Sequence, residues 1–256
     1  GATQVIVRNN LFVNFGSSCV EASGATDPIH YASGNTIIAG NIFDMTCAGG
    51  KSAARTAINV SANDTIVSDN QIYVRGPVDP AVIGLRLREP AFNVNAHDNL
   101  IRNCGTGIAT APGDARIGEV VDDRTFVRSA SPSGLPLEWI RPQTCRGWRL
   151  AWLGADERPS GAVSVVESFD PETLHFRLAA PQPMKPGDRF EVIAPSVNWN
   201  VHDNIITGCQ RPLVLDSYGS ETTLVKNNIV ARGETTDVKV AVELRGRFDL
   251  VGNQIS

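Results

Sequence analysis

Apolar and polar positions alternate along this chain in short stretches, and each stretch is followed by the same residue type, asparagine. It stands at Asn10, Asn41, Asn70, Asn99, Asn204, Asn228 and Asn253. Two positions later comes an apolar residue every time: Phe12, Phe43, Ile72, Ile101, Ile206, Val230 and Ile255. Three positions earlier comes another: Val7, Ile38, Val67, Ala96, Val201, Val225 and Leu250. Successive asparagines are 31, 29, 29, 105, 24 and 25 residues apart. Recurrence at this period marks a stacked repeat protein, in which each unit buries its inner face against the next.

Within a repeat the pattern is that of strands, not helices. Val5 and Val7 share one face by period two, a turn at Asn9-Asn10 redirects the chain, and Phe12 points inward again. Asparagine suits the turn because it tolerates left-handed backbone angles and bonds its own backbone. A second apolar pair follows in most repeats: Ile58 and Val60, Leu85 and Leu87, Leu213 and Leu215, Val242 and Leu244. No stretch carries an apolar period near 3.6, so paired helices are excluded. Two or three short strands per repeat predict a coil of parallel strands, with the asparagines in register as a side-chain amide ladder.

The 105-residue gap breaks the rhythm. Removing one coil leaves about 80 residues outside the stack, over 113–195. Thr125-Phe126-Val127, Trp148 to Trp152, Val163 to Val166, Leu174 to Leu178 and Arg189 to Ile193 alternate or run apolar between turn signals. They predict a small antiparallel β-barrel inserted between two coils. Asn93-Val94-Asn95-Ala96-His97-Asp98-Asn99 before it is echoed by Asn198-Trp199-Asn200-Val201-His202-Asp203-Asn204 after it, so the insertion splits adjacent coils. The expected organisation is a coil stack over 1–112 and 196–256 with the barrel over 113–195.

Composition narrows the partners. Apolar residues make up 42 % and the net charge is −4, with the basic residues unclustered. Nucleic acid is therefore not an expected partner, and no apolar run is long enough to span a membrane. Five cysteines cannot all pair internally. Cys104 and Cys209 each lie five residues after their asparagine, so they are expected on neighbouring coils, either as small buried sulfurs or as a disulfide. Both termini fall inside the repeat pattern, with no signal peptide in the sequence. The expectation is a piece of a longer protein, whose other domains are partners too.

The repeating unit, as in Asn227-Asn228-Ile229-Val230 and Asp203-Asn204-Ile205-Ile206, resembles that of the right-handed parallel β-helix, or pectin-lyase-like, superfamily. The likeness covers 1–112 and 196–256. It implies an all-β, right-handed parallel β-helix of about seven coils, interrupted here by the barrel. The superfamily includes polysaccharide lyases, glycoside hydrolases, esterases, epimerases and phage tailspikes, so the resemblance implies a fold more sharply than an activity. No single family's catalytic motif is complete, and none of its residues is carried over.

Two constellations carry candidate chemistry. His97-Asp98 and His202-Asp203 occupy the two positions before the asparagine, with Asp69 a coil earlier. Carboxylates one strand spacing apart would repel and raise a pKa, giving a general acid, or would hold a divalent metal near Asp98 and Asp203. The plainer reading is that Asp simply suits the turn, and no cofactor is expected. The second constellation is Arg86, Arg88 and Glu89, then Arg211, Asp216 and Tyr218, then Glu243 and Arg245. By alternation Asp216 and Glu243 face outward on neighbouring coils, as an acid and nucleophile or base pair would. Arginines beside them suit acidic or sulfated sugars; a solvated charged face is the alternative. Trp148 and Trp152 read as barrel core, whereas Trp139 and Trp199 are free by pattern to stack on a sugar ring.

The reading drawn from these residues is a carbohydrate-active, polysaccharide-degrading glycoside hydrolase or lyase. Asp216, Glu243, His202 and Tyr218 are the catalytic candidates; Arg88, Arg211, Arg245 and Trp199 are the substrate contacts. Polysaccharide or oligosaccharide is the expected partner, and the resemblance implies a secreted or cell-surface location. The competing reading is a non-catalytic glycan-binding or structural β-helix of a surface, adhesin or tailspike protein.

Overall fold

In the computed structural model the alternating stretches become strands that stack in register, coil upon coil. The structure describes residues 4–13, 18–22, 35–46, 55–60, 62–88, 93–111, 113–129, 146–154, 159–170, 173–193, 198–217, 224–232, 242–246 and 248–256. Three parallel sheets form the stack, a parallel β-helix. The first holds the strands that precede the asparagines: Val5–Arg8, Thr36–Ala39, Thr65–Ser68, Val94–His97, Trp199–His202, Leu224–Lys226 and Asp249–Val251. The second holds the strands that follow them, from Leu11–Val13 to Gln254–Ile255, also seven in number. The third has six: Ser18–Ala22, Arg55–Val60, Asp79–Arg88, Cys104–Ala111, Arg211–Ser217 and Val242–Gly246.

Register across the interruption is intact. Val94 pairs with Trp199, Ala96 with Val201 and His97 with His202, so the coils on either side of residues 113–195 are direct neighbours. The interior is mainly aliphatic: Ile38, Val67, Ala96 and Val201 form one fully buried row, and Phe43, Ile72, Ile101 and Ile206 another, led by an aromatic ring. Burying a side chain of this size contributes about 1.5–3 kcal/mol.

The returning asparagine is the polar spine of this core. Asn41, Asn70, Asn99, Asn204 and Asn228 are at most 1 % exposed. From Asn10 to Asn253 each side-chain amide donates to the Oδ1 of the next, at 2.9–3.0 Å. The same Oδ1 also accepts the backbone N–H of the preceding asparagine, at 3.0–3.2 Å. The second amide proton goes to the carbonyl of the apolar residue three before the preceding asparagine, as from Asn70 to Ile38 and from Asn99 to Val67, both at 2.9 Å. Removing one link strands several buried groups at once, each at a cost of about 1–3 kcal/mol.

A closed antiparallel barrel of six strands forms a separate unit. Gly113–Val120, Thr125–Arg128, His175–Leu178, Pro159–Asp170, Arg149–Leu153 and Arg189–Ile193 follow one another around it. Five of these match the strands read from the pattern; the sixth, Gly113–Val120, carries the buried alternate pair Ala115 and Ile117. Phe126, Phe176 and Phe190 meet at centroid distances of 5.2–5.7 Å. Trp148 and Trp152 are buried, and the Trp152 indole N–H donates to Ser164 Oγ at 2.8 Å.

Cys104 and Cys209 are free, fully buried thiols on adjacent coils. The Cys209 sulfur beside it, then burial, push the Cys104 thiol well above its ordinary pKa. Cys47 lies outside the described residues.

Candidate functional site

The position before each ladder asparagine takes a left-handed backbone conformation in every coil: Asn9, Gly40, Asp69, Asp98, Asp203, Asn227 and Gly252 have φ between 52° and 65°. Only glycine, and asparagine or aspartate among side-chain-bearing residues, adopt this routinely. Asp69, Asp98 and Asp203 are therefore placed by the turn, interchangeably with Asn and Gly. Asp98 accepts from His97 Nδ1 at 2.7 Å and Asp203 from His202 Nδ1 at 2.5 Å. The two imidazoles stack face to face, centroids 5.0 Å apart. The expected upward pKa shift is not what happens at Asp203. The hydrogen bond from His202, then one from Asn227, hold its carboxyl below the ordinary range.

His202 is also engaged at its other nitrogen, with Nε2 2.9 Å from Asn95 Oδ1 on the preceding coil. A ring occupied at both nitrogens is poorly placed to move a substrate proton. The equivalent of Asn95 one coil earlier is Ile66, so His97 has no such amide partner. Among the described residues no group of three or more His, Cys, Asp or Glu side chains converges to hold a metal ion.

The third sheet differs in kind. The connection between the first and second sheets is the same asparagine turn in each coil, whereas the connections at both edges of the third vary. Residues 23–35, 61–64, 89–93, 112–198, 218–223 and 247–248 lead from it to the first sheet. Variable loops on a regular scaffold are where binding residues concentrate. Leu213 and Leu215 are buried, as alternation requires. In register, Asn59, Arg86, Ala109, Val214 and Glu243 form one row on the side opposite the core positions; Asn59 and Ala109 are buried, and Arg86, Val214 and Glu243 are half-buried. Arg211, at the first position of its strand, is exposed and donates from Nη2 to Glu243 Oε2 at 2.7 Å. Gly107 makes room for this strand: a Cβ there would collide with the Pro212 carbonyl oxygen and with Ile206.

Asp216 pairs in register with Arg245, not with Glu243, which pairs with Val214. The two carboxylate residues thus sit on neighbouring coils, two positions apart along the strand. Arg88 pairs with Ala111 in the same sheet. Tyr218 and Trp139 lie outside the described residues. The structure thus brings Arg211, Glu243, Asp216, Arg245 and Arg88 onto one sheet and leaves His202 on another.

Trp199 requires a correction. It was expected to be free for a sugar ring, but it is 1 % exposed and in register with the buried Val94. It shares its face with Val201, so period two sends it into the core, and its ring is closed to a ligand.

The second sheet carries polar residues that the repeat pattern did not single out, Asp44, Tyr73 and Arg102, and Arg75 lies two residues beyond Tyr73. The chain matches no protein-family model and no curated protein sequence.

Proposed function

We propose that this chain is a carbohydrate-active β-helix protein of the pectin-lyase-like superfamily that degrades a polysaccharide, by hydrolysis or β-elimination, along the outward face of its third sheet. The observation that carries the reading is the Arg211–Glu243 pair, reaching between adjacent coils at 2.7 Å on the sheet that has variable connections at both edges. A carboxylate matched by an arginine suits a charged role, base or nucleophile, and Asp216 is its acid partner. Arg211, Arg88 and Arg245 supply the contacts for carboxylate or sulfate groups on the sugar. Ala109 and Val214 stand between Arg86 and Glu243 in the same register row, so the charged residues that would meet the sugars come from different coils. Tyr218 belongs to the same segment and is the further candidate. Secretion or surface display belongs to this reading.

Incubating the protein with a panel of neutral, acidic and sulfated polysaccharides tests it. The expected result is new reducing ends or unsaturated uronide absorbance on at least one acidic glycan, abolished by Glu243→Gln and by Asp216→Asn. Binding without any product would support the non-catalytic glycan binder instead. Neither product nor binding on any member would sink both.

A further inference from the structure

We propose that the outward face of the second sheet holds a second ligand site, independent of the third-sheet reading, that takes an acidic saccharide unit between Arg75 and Arg102 against Tyr73. Two outward rows cross this sheet. One is apolar or amide-bearing: Leu11, Ile42, Gln71, Leu100, Ile205. The other changes character coil by coil through Val13, Asp44, Tyr73, Arg102 and Thr207. Between them lies a groove of about 300 Å³, bordered by Gln71, Tyr73, Arg75, Leu100, Arg102 and Asn103. That volume lies at the small end of the range for small-ligand sites, suited to one sugar ring.

The groove is built, not incidental. Asp44 is only 5 % exposed, yet its Oδ2 reaches Arg75 Nη2 at 2.8 Å, and Arg75 itself is 70 % exposed. A buried carboxylate thus fixes a surface guanidinium, which spares a ligand the cost of ordering that side chain. The Arg75 backbone is held from both sides. Its N–H donates to Thr46 Oγ1 of the preceding coil at 2.5 Å. On the following coil Asn103 Nδ2 donates to Val74 O at 3.3 Å and Gly76 O at 3.4 Å. The Arg75 guanidinium lies 5.8 Å from the Tyr73 ring centre. Arg102, one coil on from Tyr73 in register, is exposed and has no ion pair among the described residues.

The chemistry of the ligand follows from this set. Two guanidiniums against one buried carboxylate leave an excess positive charge in a chain of net charge −4, which selects an anion. Planar donor forks suit a carboxylate or sulfate group. The Tyr73 ring and the Leu100 side chain offer an apolar wall to the C–H face of a sugar, and Gln71 and Asn103 are hydroxyl partners. A bare inorganic anion would use the arginines and leave that wall idle.

Calorimetric titration with a mannuronate trisaccharide tests the proposal, carried out on the Arg211→Ala protein so that the third sheet cannot contribute. The acidic trisaccharide should bind. Arg102→Ala and Arg75→Gln should each weaken it at least about 10-fold, the loss of one charge-assisted contact. Tyr73→Ala should weaken it too, and Arg102→Lys should restore part of the loss. Arg102 is exposed and has no ion pair among the described residues, so its alanine variant should melt like the parent; an unchanged circular-dichroism melt verifies that. No binding, equal binding of the neutral mannose trisaccharide, or indifference to Arg102→Ala would each overturn the site. Sodium sulfate alone competing with the affinity of the trisaccharide would overturn its saccharide specificity.

Discussion

The coil stack and the barrel solve the same problem, closing a sheet around a core, with opposite materials. The stack repeats one unit and runs a continuous amide ladder through its interior, with aliphatic rows on either side. The barrel repeats nothing and gathers Phe126, Phe169, Phe176, Phe190 and Trp152 into one aromatic centre. In the stack, identity of residues at a position follows from geometry, because the next coil must present the matching group. In the barrel only size and side matter, so no position announces itself by recurrence.

The largest expected effect breaks the ladder. Asn99→Ala removes the acceptor for two donors of Asn70, takes the side-chain donor from Asn204 Oδ1 while the backbone N–H of residue 99 remains, and leaves the Val67 carbonyl without its amide donor. Stranding that many buried groups should cost about 3–5 kcal/mol, read as a fall in the urea midpoint followed by Trp199, the stack's own tryptophan. The barrel counterpart is Phe176→Ala, which empties the aromatic centre and should cost about 3 kcal/mol, read through Trp148 and Trp152. If the ladder variant proved the milder of the two, the polar spine would not be the stack's principal support.

A smaller effect sharpens the comparison through pH. Burial works against the Asp44 carboxylate, but hydrogen bonds from Thr46, then the charge of Arg75 and a contact with Tyr73, outweigh it and hold the pKa below the ordinary value. A depressed folded-state pKa stabilises above the unfolded value and is lost as pH falls through the folded one. Asp44→Asn should therefore lower the melting temperature at pH 7 and narrow its gap to the parent below about pH 4. A gap that widened on acidification would contradict this. The smallest effect belongs to the barrel surface. Glu167 accepts from Arg124 at 3.1 Å and from Arg177 at 2.9 Å, but all three are exposed or partly so. Glu167→Gln should change stability by no more than about 0.5 kcal/mol, and less in high salt.

This contrast also explains what could be read from the amino acids. The period gave the stack, its interruption and the adjacency of His97 and His202, because each rests on recurrence. The barrel strand Gly113–Val120 went unread because Gly118 interrupts a short alternation and Pro112-Gly113 reads as a boundary. A second set of left-handed turns at Asn35, Asp64, Asn93 and Asn198 was legible six positions before the ladder asparagine. Its amides also link across coils, Asn93 to Asp64 at 2.8 Å and Asn198 to Asn93 at 2.7 Å. Trp199 was legible too: parity with Val201 places it inside. The groove of Asp44, Tyr73, Arg75 and Arg102 was not, because its members come from different coils and share no repeated identity. Only the register places Asp44 beside Tyr73 and Tyr73 beside Arg102.

The charged residues at the recurring turn are placed by backbone geometry, whereas under the proposed function those on the third sheet would serve an acidic glycan. One side-by-side titration tests that division. Arg211→Ala and His202→Ala, matched for thermal stability, are each titrated with the acidic polysaccharide that the parent binds, with the second-sheet groove silenced by Arg102→Ala. The expected result is a loss of at least about 10-fold for Arg211→Ala and parental affinity for His202→Ala. Parental affinity for Arg211→Ala with a loss for His202→Ala would contradict the account and move the site to the stacked histidines.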